Sequence, residues 1–178
     1  MEKHQVAQHE ISHLQVLSFM LDNEWFGVEI SGIQEVLEFR QVTKVPRTPD
    51  FMLGVINLRG KVIPVVDLGK HFEMPAKAPT LDTCIIIIHV DIDGEPTPLG
   101  IMADEVKEVV DIAIQDISPP PRIGNRINSA FIYGMAKHDD SFLILLKLSR
   151  IFSAEELNKV AVQAEDVPEL AAQPSVTD

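Results

Sequence analysis

Apolar and polar positions alternate over short runs along most of the chain, and compact turn signals separate the runs. Residues 14–21 and 25–30 are apolar-rich on either side of Asp22-Asn23-Glu24, which reads as a hairpin turn. Residues 53–58 and 61–67 flank Arg59-Gly60 and form a second, stronger hairpin signal. Pro64 falls inside the return strand and assigns it to an edge or a bulge. Residues 39–45 alternate loosely and suggest a strand between the hairpins, ended by Pro46 and Pro49. Ser31-Gly32-Ile33-Gln34 has the S-x-x-Q form of a capping box, predicting a helical turn through Val36 or Leu37.

The plan then repeats. Residues 131–152 lie on residues 51–72 without a gap at an offset of 80, with Phe51, Gly54, Leu68 and Phe72 meeting Phe131, Gly134, Leu148 and Phe152. Upstream, Phe26-Gly27-Val28 meets Leu99-Gly100-Ile101, and Gln34-Glu35-Val36 meets Lys107-Glu108-Val109, both at an offset of 73. The difference is an insertion of 7 residues in the second copy, placed in the long loop with Ser118, three prolines and Arg122. The second copy thus predicts strands over 84–91, 99–103 and 110–115, a helical turn near 104–109 and a hairpin over 131–147. Five short strands per copy suit a small closed barrel, because closure removes exposed edges. The expected fold is all-β: two tandem five-stranded barrels, about 14–72 and 84–152, packed on a shared apolar interface. Ser153-Ala154-Glu155-Glu156 is a second capping box and predicts a helix over 154–162. Residues 1–12 read as a flexible polar lead, and 163–178, acidic with two prolines and no basic residue, as a disordered tail.

Composition narrows the partners. The chain of 178 residues is 46% hydrophobic, enough for a real core. A net charge of −12 disfavours nucleic-acid backbones and anionic membrane surfaces alike. The one cysteine, Cys84, sits in an apolar run and reads as a buried, inert thiol of a reducing compartment. With no signal-peptide pattern and no span-length apolar run, the expected location is cytoplasmic.

Catalytic signals are few. His9-Glu10-Ile11-Ser12-His13 matches H-E-x-x-H, the zinc-peptidase form, but it sits in a polar lead directly before a strand, which would hold its histidines too far apart. Asp91-Ile92-Asp93-Gly94 resembles the start of a calcium loop, yet loop position 12 is Met102, so a hairpin turn is expected. No cofactor loop or nucleophile motif is present, and no cofactor is expected. Arg59, at the tip of the strongest hairpin, is either a solvated turn residue or a recognition arginine. Ile33, Val36, Val106 and Val109, on the paired helical turns, are expected to be mostly buried, with Glu35 exposed between them.

FGVEISGIQEV, VPRTPDFMLGVINLRGKVIPVVDL, the proline run ISPPP and the echoing FIYG…FLILLKL resemble the bacterial chemotaxis coupling proteins, the CheW family, from about residue 14 to 157. The resemblance implies two SH3-like barrels in a non-enzymatic adaptor. Its partners would be the transmembrane, methyl-accepting chemoreceptors and the regulatory domain of the histidine kinase CheA. It places receptor contacts on Ile33, Glu35, Gly54, Asn57, Arg59, Val106 and Val109, and kinase contacts on Arg122 and Ile123. It also implies a cytoplasmic protein recruited to membrane receptor arrays. A coupler of another chemosensory array (twitching or surface growth) and a zinc peptidase built on the H-E-x-x-H motif are the alternative readings. Gly69 stands where the family often carries a basic residue, and the polar extensions at both ends match nothing in its core.

Overall fold

The computed structural model of the protein describes residues 12–120 and 129–161. The expected lead and acidic tail lie almost wholly outside these residues, as does the stretch 121–128. Eleven strands, β1 (His13–Leu21), β2 (Glu24–Glu29), β3 (Ile33–Glu38), β4 (Met52–Leu58), β5 (Lys61–Asp67), β6 (Cys84–Ile92), β7 (Glu95–Ala103), β8 (Glu105–Ala113), β9 (Ile117–Ser118), β10 (Ile132–His138) and β11 (Ser141–Leu146), form two sheets. Sheet A has the order β8-β1-β2-β11-β10-β9, and sheet B the order β3-β6-β7-β5-β4. Three short α-helices, α1 (Leu68–His71), α2 (Leu148–Ile151) and α3 (Ala154–Val160), and three single 3₁₀ turns complete the regular elements of the described chain.

The two copies do not fold as separate neighbours. The β1–β2 hairpin of the first copy sits between β8 and β11 of the second, and the β6–β7 hairpin of the second sits between β3 and β5 of the first. The expected contiguous halves, 14–72 and 84–152, are therefore corrected to a reciprocal exchange of hairpins. The junctions are the two parallel pairings among the described residues, Leu145 opposite Gly27 and Val65 opposite Gly100. Both glycines are needed for close packing: a Cβ on Gly27 would come to 3.1 Å from Leu145, and one on Gly100 to 3.2 Å from Val65. The duplication is legible in the sequence, but the exchange is not, because each hairpin has the same apolar faces whichever copy it joins.

Both sheets are rolled. Beyond β3 the chain returns at Thr43 to pair with Val55 on β4, the opposite edge of sheet B. Beyond β8 it returns as β9 to pair with β10. Rolling gives each sheet a private core: Ile56, Leu58, Ile63, Val65, Ile85 and Ile87 in sheet B, and Val16, Val110, Ile112, Ala136, Leu143 and Leu145 in sheet A. The other faces meet in one larger core that includes Phe19, Phe26, Val28, Ile86, Ile88, Leu99 and Ile101. The run Ile85–Ile88 is continuous because alternate isoleucines serve different cores, which is why it lacks the period-two polar alternation of a half-exposed strand.

Two expected helical turns are strands. Only Ile30–Gly32 is helical, as a single 3₁₀ turn, and 33–38 and 105–113 are β3 and β8. A bulge explains the misreading. Opposite β6, Ile33 faces Ile88 and Glu35 faces Ile87, so Gln34 is extra; opposite β1, Val106 faces Phe19 and Glu108 faces Ser18, so Lys107 is extra. One extra residue puts positions three apart on the same face and imitates helical spacing. The expected strand at 39–45 shrinks to the Thr43–Val55 bridge. Pro64 lies on an interior strand rather than an edge. Counting from the turn-closing pair Leu58–Lys61, Val55–Pro64 is a non-hydrogen-bonded pair, and pairing with β7 begins only at Val65. The missing N–H therefore breaks no ladder bond.

The capping box at Ser153 is formed in both directions: the Glu156 amide donates to Oγ at 3.0 Å and the Ser153 amide donates to the Glu156 carboxylate at 2.9 Å. It starts α3, which buries Leu157 and Val160 in the shared core. Ser153→Ala should lower stability by about 1 kcal/mol, read by thermal or urea unfolding.

Candidate functional site

The β4–β5 hairpin turns through Arg59 at φ 51° and Gly60 at φ 87°, the left-handed pair of a type I′ turn. The other hairpins fill such positions with Asp22 and Asn23, Asp93 and Gly94, or Asp139, residue types that tolerate this conformation. Arginine there costs about 1 kcal/mol. The turn is braced: Asn57 Oδ1 accepts from the Gly60 amide at 2.9 Å, and the Asn57 carbonyl accepts from Arg40 at 3.3 Å.

The Arg59 guanidinium donates through Nη2 to Glu35 Oε2 on β3. The arginine side chain remains 66% exposed. Gln34, the bulged residue, donates to the same carboxylate oxygen at 2.9 Å. The Arg59 hydrogen bond, followed by that from Gln34, holds the Glu35 carboxyl below the usual carboxylate range. A carboxylate with a lowered folded pKa stabilises at higher pH and loses that contribution as pH falls through the lowered value. The contribution of the pair is therefore present at neutral pH and is lost as Glu35 takes up its proton in acid. The guanidinium rims a cleft of about 230 Å³ whose walls include Gln34, Lys61, His89, Pro96 and Pro98.

Ile33 and Val36 share the face of β3 that looks onto the central core, since they stand opposite Ile88 and Ile86. Ile33 packs against that core, whereas Val36 is 41% exposed at its margin. The second copy repeats this: Val106 packs against the same core opposite Phe19, and Val109 opposite Leu17 is 53% exposed. The expectation of mostly buried valines thus fails for Val36 and Val109, because β3 and β8 are edge strands and the core ends beneath them.

The structure brings Glu35, Asn57 and Arg59 together, with Ile33 just across the bulge. Val106 and Val109 sit on the equivalent edge of sheet A, where Val106, like Ile33, packs against the shared core. Gly54 is different in kind. It is buried at φ 150°, and a Cβ there would lie 2.2 Å from the Thr43 carbonyl oxygen. Arg122 and Ile123 lie outside the described residues. Sequence reading missed Gln34 and Arg40: one is the bulge it took for helix, and the other reaches a backbone carbonyl, which leaves no motif. Of the H-E-x-x-H motif, only Ser12 and His13 are described, and His13 lies on β1 with Nδ1 3.5 Å from Asp111. The larger concavity, about 530 Å³ between Leu14, Gly27, Gly32, His89, Tyr133 and Leu148, is lined by none of the candidate residues.

A duplicated all-β body with exchanged hairpins, exposed valines on both edge strands and a braced arginine at a hairpin tip defines a two-sheet module with a prepared surface. The chain belongs to the CheW-like domain family, which it matches over residues 15–156. It is 30% identical over 149 residues to the chemotaxis protein CheW of Treponema pallidum, covering 83% of this chain and 86% of that one. It is 31% identical over 141 residues to the CheW of Klebsiella aerogenes, covering 79% and 82%. The crystal structure of the scaffolding protein TtCheW from Thermoanaerobacter tengcongensis superposes with a TM-score of 0.71 at 38% identity, covering 80% of this chain and 90% of that one. No helix among the described residues is long and apolar enough to cross a membrane.

Proposed function

We propose that this protein is a non-enzymatic adaptor that couples transmembrane chemoreceptors to the histidine kinase CheA, in the cytoplasm at membrane receptor arrays. Family membership supports the coupling role, and the relatives carry the names of chemotaxis and scaffolding proteins. The observation that carries the receptor surface is Arg59. Holding an arginine in a left-handed turn costs stability, and orienting it through Glu35, itself fixed by Gln34, presents a cation in one geometry. Val36, next to Glu35 along β3 and on the strand's other face, supplies exposed apolar area at the same sheet edge. Kinase binding falls to the other region the resemblance singles out, around Arg122 and Ile123.

The test is Arg59→Ala. The exposed ion pair contributes little to folding, so stability should change by less than about 1 kcal/mol. Receptor affinity should fall by about 2 kcal/mol, roughly thirtyfold, with CheA affinity unchanged. Binding of both partners to the variant should be measured on one preparation whose melting has been recorded. Undiminished receptor binding by a folded variant would remove Arg59 from the surface, and equal loss of both partners would merge the two surfaces into one.

A further inference from the structure

The duplication places a second acid–base contact where the first has Arg59 and Glu35. Glu108 is the counterpart of Glu35, Lys107 of Gln34, and Asp139 of Arg59. At the hairpin tip the second copy has thus replaced the cation by a carboxylate, so Glu108 loses the internal partner its twin retains. Lys107 does not substitute, because its ammonium lies over the Trp25 ring at 5.2 Å. His138 stands between the two acids instead: its Nε2 is 3.2 Å from Glu108 Oε2 and 3.5 Å from Asp139 Oδ2. One ligand atom from each of the three residues can be chosen so that all lie within 4.8 Å of one another.

We propose that Glu108, His138 and Asp139 form a binding site for a divalent transition-metal ion of the Zn²⁺ class. The donor set, one imidazole nitrogen and two carboxylate oxygens, is of the kind that binds such ions, leaving positions for water. The spacing agrees. Two donors each about 2.1 Å from an ion lie about 3.4 Å apart in a tetrahedron and about 3.0 Å in an octahedron. The two contacts of His138, 3.2 and 3.5 Å, are close to these values, and the third edge, within 4.8 Å, would shorten on binding. A neutral His138 can donate Nε2–H to only one acid at a time, whereas an ion satisfies both carboxylates and the imidazole lone pair together. The contact also joins distant strands: β8 and β10 are separated by β1, β2 and β11 in sheet A, so a bound ion would pin the rolled sheet across its opening.

The experiment is a melting series of the full chain with Zn²⁺ and, as a hard-cation control, Mg²⁺. Zn²⁺ at a hundredfold excess over its dissociation constant should raise the melting temperature by about 5 °C or more, with little effect from Mg²⁺. His138→Gln and Glu108→Gln should each abolish the rise, and either suffices if the other fails to fold. His9→Ala should leave it intact, separating this site from the H-E-x-x-H motif near the N-terminus. A rise that survives both substitutions in β8 and β10, one that vanishes with His9→Ala, or no rise at all would overturn the proposal. In the last case, His138 serves only as a hydrogen-bond partner of the acids.

Discussion

A chain cut to residues 1–77 should not fold alone. Cutting there strips β1–β2 of β8 and β11, its neighbours on both sides, and removes β6–β7 from the middle of sheet B. With them go Ile85, Ile86, Ile87 and Ile88, all at most 1% exposed. Four such side chains represent about 6–12 kcal/mol of burial, against a net stability of about 5–15 kcal/mol for a typical domain. The fragment 78–178 is deprived in the same way. Each alone should show no cooperative thermal transition and should expose enough apolar surface to aggregate. Co-expressed, the two fragments should restore a cooperative transition, because each supplies the hairpin that the other's sheet lacks. A cooperative transition from residues 1–77 alone would mean that the first copy can close on its own strands, contrary to the observed pairing.

That prediction also marks where sequence reading reaches its limit. The hairpin at Arg59-Gly60, the turns at Asp22-Asn23 and Asp93-Gly94, the capping box at Ser153 and the duplication itself are local signals, and each is found where its chemistry puts it. Which hairpin pairs with which sheet is not local. Matched copies offer the same apolar faces to either partner, so nothing in the alternation separates a contiguous half from an exchanged one. The bulges at Gln34 and Lys107 fail for a related reason: an extra residue in a strand shifts the period without announcing itself. Around Arg59 the legible part was the turn and its unusual occupant. The bond to Glu35 spans 24 residues and follows from the rolling of sheet B, which no single segment encodes.

Gly54→Ala should lower stability by about 3 kcal/mol, roughly 6–12 °C in melting temperature for a chain of this size. The glycine occupies the bulge between Met52 and the rest of β4, where φ 150° is a conformation that a side-chain-bearing residue adopts only under strain. The added methyl would also meet the backbone oxygen of Thr43 at 2.2 Å, and a backbone carbonyl cannot rotate aside as a side chain can. Relief requires moving the Thr43–Val55 bridge, which holds one rolled edge of sheet B against the other. Gly134, the counterpart in the second copy, provides an internal comparison. A Cβ there meets the Ile117 side chain at 2.4 Å and the Ser118 oxygen at 2.8 Å, so part of the clash is with atoms able to yield. Gly134→Ala should therefore cost less than Gly54→Ala in the same urea or thermal series. The comparison also bears on the receptor surface to which the family resemblance assigns Gly54. If this residue acts by letting β4 approach Thr43, weakened receptor binding by Gly54→Ala should accompany the lost stability. The binding defect of Arg59→Ala should appear without it. Gly54→Ala with wild-type melting but impaired receptor binding would instead make the glycine a direct contact, and the steric account of the bulge would be wrong.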